Sequence, residues 1–147
     1  MKKHLNGYII TASISSLRYL DCDEIWQITR VNSEISGTVW VPELAPSSAL
    51  FNTYLTQWKE KPPDLWWPEY EKKFSDELSL PAKLATLRKL WRSIESGKKI
   101  ALVCFCVSNK YCHRRLVGTF LEKHGARVEE YIKEQDFPMG PEQIEMF

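Results

Sequence analysis

Between Lys99 and Tyr131 the hydrophobic pattern changes period twice, and that change limits the folds open to the chain. "KIALVCFC" (Lys99–Cys106) is apolar at nearly every position, as a strand covered on both faces must be. "RRLVGTFLEKHG" then places Leu116, Val117, Phe120 and Leu121 on one helical face and stops at Gly125. "ARVEEY" is extended again. Strand, loop, helix, glycine, strand is the returning unit of an α/β sheet, and such units place their strands in parallel.

The rest of the chain supplies the neighbours. "GYIITASIS" (Gly7–Ser15) is rich in β-branched residues and predicts a first strand. "DEIWQITRV" (Asp23–Val31) predicts a second, and Thr38–Val41 a short extended segment closed by Pro42. Pro46, Pro62, Pro63 and Pro68 break the middle into pieces. "SSALFNTYLTQW" offers Ser47 and Ser48 as caps before a helical spacing of Leu50, Phe51, Tyr54, Leu55 and Trp58. "WWPEYEKKFSDEL" predicts a second helix with Pro68 in its first turn. Pro81 opens a third, with Leu84, Leu87, Leu90, Trp91 and Ile94 on one face and Gly97 as its left-handed stop. The expectation is a single α/β domain over residues 1–147, with a small, mainly parallel sheet flanked by helices. Residues from about 134 to 147 are expected to form an extended tail.

Charge narrows the partners. A net charge of +1 gives no overall basic field, so nucleic acid would need a local patch. The longest apolar stretch, Ile100–Val107, is too short to span a bilayer, and no membrane partner is expected. The N-terminus lacks the apolar core of a signal peptide. Cys104, Cys106 and Cys112 are crowded and Cys22 is remote, unlike a secreted disulfide framework. A cytoplasmic location is expected.

The chemistry is concentrated in "CFCVSNKYCHRR", where a central strand hands over to a helix. Loops at the carboxyl ends of parallel strands line the ligand crevice of α/β folds. Ser108, Asn109 and Lys110 occupy this loop, and the helix is expected to begin near Tyr111 or Cys112. A thiol at such a helix start should have a pKa below the free value of about 8.5. Arg114 and Arg115 stand in the first turn, where the helix dipole disfavours cations, so an anion is expected nearby unless they point to solvent.

The same residues admit other chemistry. Cys104, Cys106, Cys112 and His113 form a chemically reasonable zinc set. Their spacing argues against it, because one contiguous strand and loop must supply every ligand; no metal and no cofactor are expected. Phosphatase and sulfurtransferase loops place an arginine where this chain has Cys112. Any of the cysteines could also be core filler. Trp58, Trp66, Trp67 and Tyr70 are expected to pack the sheet's flank, with a ligand wall as the other option.

These residues carry a resemblance. A strand ending in Cys104, a polar loop, then "CHRR" (Cys112–Arg115) opening a helix resembles the YeaO-like family of short bacterial proteins of unknown function. "WVPELAPSSALFNTYL", "WWPEYEKKFSDEL" and "LRKLWRSIESGKKIALVC" are similar to the family's preceding segments, so the likeness runs from about Ile25 to Gly125. Cys106 is an extra cysteine, and the family's early Asp-Arg pair falls on Thr29-Arg30, keeping the arginine without the acid. The resemblance implies an α/β fold and a pocket around Cys104, Cys112, His113 and Arg114, without implying a reaction.

Two functional expectations follow. In one, Cys104, Cys112, His113 and Arg114 are catalytic in a thiol-dependent enzyme acting on a small anionic or phosphorylated substrate. Ser108, Asn109, Lys110, Arg114, Arg115 and Arg30 would then bind its anion. In the other, the same crevice holds a nucleotide or nucleic-acid phosphate without turnover.

Overall fold

The computed structural model describes residues 7–106 and 108–132. Among these residues five strands pair in the order β3-β2-β4-β1-β5, and every pairing is parallel. They are β1 (Tyr8–Ser13), β2 (Glu24–Gln27), β3 (Val39–Trp40), β4 (Lys99–Cys104) and β5 (Val128–Glu130). The central place of β4 follows from its sequence: Ile100 to Cys104 are all buried, which only a strand with neighbours on both edges and cover on both faces can achieve.

The strand ends at Cys104, two residues short of the expected Cys106. The reason is its neighbours. β1 runs out at the Ser13–Cys104 register, and on the β2 side the ladder closes with the Ile28 amide donating to Val103 O. With no strand partner beyond among the described residues, Cys106 leaves the sheet and lies exposed in the loop.

Alternate residues serve opposite faces. Ile9, Trp26, Ile28, Ile100, Leu102 and Cys104 join the large core beneath the helices. Ala12, Ala101 and Val103 face the other way, under Ile14, Leu17 and Leu20 of a 3₁₀ segment (Ile14–Tyr19) and its end. The small alanines let this thin layer sit close.

Four helices cover the first face: α1 (Ser48–Thr53), α2 (Pro63–Glu77), α3 (Pro81–Glu95) and α4 (His113–Lys123). Ser47 caps α1 as expected, accepting from the Leu50 amide at 3.1 Å. α1 then widens into a π turn, Tyr54–Trp58, closed by the Lys59 amide donating to Tyr54 O at 2.8 Å. α2 begins at Pro63, five residues before the expected Pro68. Pro63 suits a first helical position, where the missing N–H has no intrahelical partner to lose; Pro68 lies inside the helix. Gly97 and Gly125 both take φ of 102°, the left-handed geometry that ends α3 and α4.

Among the described residues no helix is long and apolar enough to cross a membrane. His4 and the tail from 134 onward lie outside the described residues.

Candidate functional site

The carboxyl ends of β2 and β4 open onto a cavity of about 310 Å³. Thr29, Arg30 and Val31 border it after β2, and Cys104, Phe105 and Cys106 after β4. Phe51 and Tyr54 from the α1–π segment and Trp66 and Tyr70 from α2 form an aromatic wall, joined by Tyr111 of the loop. The π turn keeps Tyr54 on this wall, its ring 5.4 Å edge-on from Trp66. Trp66 also meets Trp58, Trp67, Tyr70 and Tyr111, so the wall is one packed aromatic cluster. Of the four rings expected to pack the sheet's flank, Trp66 and Tyr70 line the cavity, while Trp58 and Trp67 pack against them.

The segment leading into α1 is braced from three directions. Arg30 donates to Pro46 O at 3.0 Å and to Ser48 Oγ at 2.6 Å. Lys83 of α3 reaches Ala45 O at 3.2 Å, and Glu77 of α2 accepts from the Ser47 amide at 2.9 Å and from its hydroxyl. These bonds set the height at which Phe51 meets the cavity.

The floor is sulfur. Cys104 and Cys112 are buried with their Sγ atoms 2.9 Å apart, and all three sulfurs of Cys104, Cys106 and Cys112 lie within 4.8 Å of one another. Cys112 is the N-cap of α4, yet its side chain caps nothing. The sulfur turns toward the strand end instead of toward its own helix.

Behind the sulfurs lies Arg114, with its side chain wholly inaccessible to solvent. Its Nη1 donates to Cys104 Sγ at 3.1 Å and to Cys106 O at 2.6 Å, and lies 3.9 Å from Cys112 Sγ. Its Nε and Nη2 grip both carboxylate oxygens of Glu130 in β5, at 3.2 and 2.7 Å. Thr11 Oγ1 of β1 donates to the same carboxylate at 2.6 Å. Burial works against the guanidinium's charge, but Glu130 and the sulfurs outweigh it and hold the pKa above its ordinary value. Arg115, its neighbour, is exposed and donates to Lys110 O at 3.1 Å. Both arginines therefore donate to carbonyls of the loop, Arg114 to Cys106 O and Arg115 to Lys110 O.

His113 packs edge-on against Phe74 and lies 2.6 Å through Nε2 from Ile28 O. A carbonyl can only accept, so Nε2 carries the proton and Nδ1 presents a lone pair. That Nδ1 is 3.9 Å from Cys112 Sγ. Burial pushes the His113 pKa down to about 4, so the ring is neutral near pH 7.

The expected lowering of a thiol pKa is not found. Crowding by Cys106, with burial, pushes Cys104 up to about 11. Cys112 is pushed up to about 12 by its contact with Cys104 and by burial. Cys106 is favoured as an anion by Cys104, but Cys112 and burial outweigh this and push it up to about 11. Burial and the net effect of the neighbouring sulfurs outweigh the pull of the Arg114 charge on all three thiols.

Of the residues expected to bind an anion, Arg30 lines the cavity while Ser108, Asn109, Lys110, Arg114 and Arg115 do not. Ser108 Oγ accepts from the Lys110 amide, Asn109 O from the Cys112 amide, and Lys110 Nζ sits over the Tyr111 ring. Sequence reasoning missed Glu130 and Thr11, which complete the Arg114 network, and treated Cys106 as surplus. An acid in a short, half-buried strand was the available signal for Glu130.

The chain matches no curated protein and no solved structure. One family model, DUF488-N3a, described as the active DUF488-N3 subclade, matches residues 9–125. That span takes in β1 through α4, including the sulfur floor, Arg30 and the aromatic wall, but stops before Glu130. YeaO is itself a DUF488 member, so the likeness seen in the "CHRR" and "LAPSS" segments holds. The chain belongs to the DUF488 family of domains of unknown function.

Proposed function

We propose that the chain is a cysteine-dependent enzyme acting on a small substrate that carries a flat ring and an anionic group. One observation carries this reading: Cys104, Cys106 and Cys112 meet on the floor of an aromatic-walled cavity, with a buried guanidinium donating to their sulfur. Such a wall suits a ring stacked or held edge-on, since aromatic faces attract ring edges and other π systems. Arg30 stands on the border, with two of its five N–H donors taken by Pro46 and Ser48, and is the group placed to meet a phosphate or carboxylate.

The roles divide accordingly. Cys112 or Cys104 supplies the reacting sulfur, and Arg114 stabilises negative charge on it. His113, neutral near pH 7, serves as a proton acceptor through Nδ1. The word "active" in the description of the matching subclade agrees with a retained reaction centre. A phosphate-holding module without turnover has less support, because its loop residues Ser108, Asn109 and Lys110 are not among those that line the cavity.

The test uses nucleoside monophosphates as ring-plus-anion probes and inorganic phosphate as the anion alone. Nucleotides should quench the fluorescence of Trp66 and slow alkylation of Cys106 by iodoacetamide, phosphate should do neither, and Arg30→Ala should weaken the nucleotide effect at least about tenfold. Equal protection by phosphate alone, or none from any nucleotide, would sink the reading.

A further inference from the structure

The geometry points to a binding site for one thiophilic metal ion, zinc in chemical class, held by Cys104, Cys106 and Cys112 with a coordination position open to the cavity. The inference rests on the reading of this cavity as a cysteine-dependent site, and it names the group that the sulfurs would present to a substrate. One contiguous strand and loop supply every ligand, the ground on which the sequence disfavours zinc, and the sequence predicts the strand to run on through Cys106. The strand instead stops at Cys104, and the loop carries Cys106 back over the strand end. Three sulfurs from a strand terminus, a loop and a helix start then approach one point from different directions.

The distances fit. Tetrahedral zinc with Zn–S bonds of about 2.3 Å holds its sulfurs about 3.8 Å apart. Here the separations run from 2.9 Å between Cys104 and Cys112 up to at most 4.8 Å across the trio. Ångström-scale adjustment suffices, and Cys106, exposed in its loop, is held by neither β4 nor α4. Three protein ligands with a fourth position facing a pocket is the arrangement of reactive zinc sites, whereas structural sites close all four.

Arg114 gives an independent reason. A neutral thiol is a weak acceptor, yet this wholly buried guanidinium aims Nη1 at Cys104 Sγ from 3.1 Å. A metal-bound thiolate is the acceptor that suits a cation. Three thiolates and one divalent ion leave one excess negative charge, which the guanidinium faces directly while Glu130 holds its other side. His113 completes the surroundings. Its Nε2–H bond to Ile28 O leaves Nδ1 bare beside the trio, where it can accept a hydrogen bond from whatever occupies the open position.

The test adds Co(II), then Zn(II), to full-length protein that has been chelator-stripped and kept reduced. One equivalent of Co(II) should produce a thiolate-to-cobalt charge-transfer band, with ligand-field bands showing tetrahedral coordination, and one equivalent of Zn(II) should displace it. Cys106→Ser, at an exposed position and with folding checked by circular dichroism, should weaken Co(II) binding by about 100-fold or more, while Cys22→Ser should leave it unchanged. Absence of the band, or a band of full intensity in Cys106→Ser, would overturn the site. Nucleotide quenching of Trp66 is read in the same stripped protein. If quenching persists and no band forms, the metal inference fails and the pocket reading stands. If the band forms without quenching, the metal site stands and the proposed substrate class fails.

Discussion

The floor and the wall of the cavity are built on opposite physical terms. The floor is a chain of charge and sulfur: Thr11, Glu130, Arg114, Cys104 and Cys112 in turn at hydrogen-bond distance, with the Cys106 sulfur within 4.8 Å of the other two. The wall is area: Phe51, Tyr54, Trp66 and Tyr70 contribute rings that pack on one another. A buried charge network fails when one member is removed, because the partner is left uncompensated in a poor solvent. An apolar wall loses only in proportion to the surface and volume taken away. The same cavity therefore has one side where losing a member of the Arg114–Glu130 pair is costly and one where losses scale with the surface removed.

Removing the charge on Glu130 should have the largest effect. Glu130→Gln leaves Arg114 buried without its carboxylate and should cost about 3–5 kcal/mol in urea denaturation. A loss below about 1 kcal/mol would show that the floor is not a coupled network.

Acid should act next, through His113, in protein stripped of metal. The folded pKa of about 4 lies below the ordinary 6.5, so between these values the unfolded chain binds the extra proton. Stability is complete above pH 6.5 and falls toward pH 4, by up to about 3 kcal/mol from this group. His113→Gln should flatten that part of the profile; unchanged slopes in wild type and variant would contradict the burial of a neutral ring.

On the wall, Phe51→Leu should cost less than about 1.5 kcal/mol, since volume is nearly conserved, while weakening nucleotide quenching of Trp66. A cost equal to that of Glu130→Gln would erase the contrast between the two sides. Smallest of all, Arg115→Ala should leave the denaturation midpoint unmoved, although Arg115 adjoins Arg114 in sequence and has the same side chain. A clear shift would mean that its bond to Lys110 O holds the loop more firmly than an exposed contact should.

Those adjacent arginines show where sequence reading stops. Helix periodicity marked the apolar face of α4, and Leu116, Val117 and Leu121 are buried on it. Arg114 is also buried, and no rule of composition predicts a guanidinium there. Its partner Glu130 comes from beyond the helix, brought near because β5 pairs with the far edge of β1. Likewise the cysteine spacing was visible, but the end of β4 was not, since it depends on where β1 and β2 stop pairing. The thiol pKa expectation failed for the same reason: position at a helix start is local information, and the crowding by two other sulfurs is not.

What the sequence determined by itself is local and periodic. The unbroken apolar run of β4, the glycine stops at Gly97 and Gly125 and the amphipathic α3 and α4 require a parallel α/β sheet with a polar loop at a strand end. Those features depend on residues within a turn or two of each other. The tertiary structure decided which chemistry-bearing groups meet. It placed Arg30 at the cavity beside rings from α1 and α2, set Arg114 against Glu130, and drew three sulfurs to one point. Contacts between residues far apart in the chain depend on strand order and on where pairing ends, and neither is written in any local stretch of sequence.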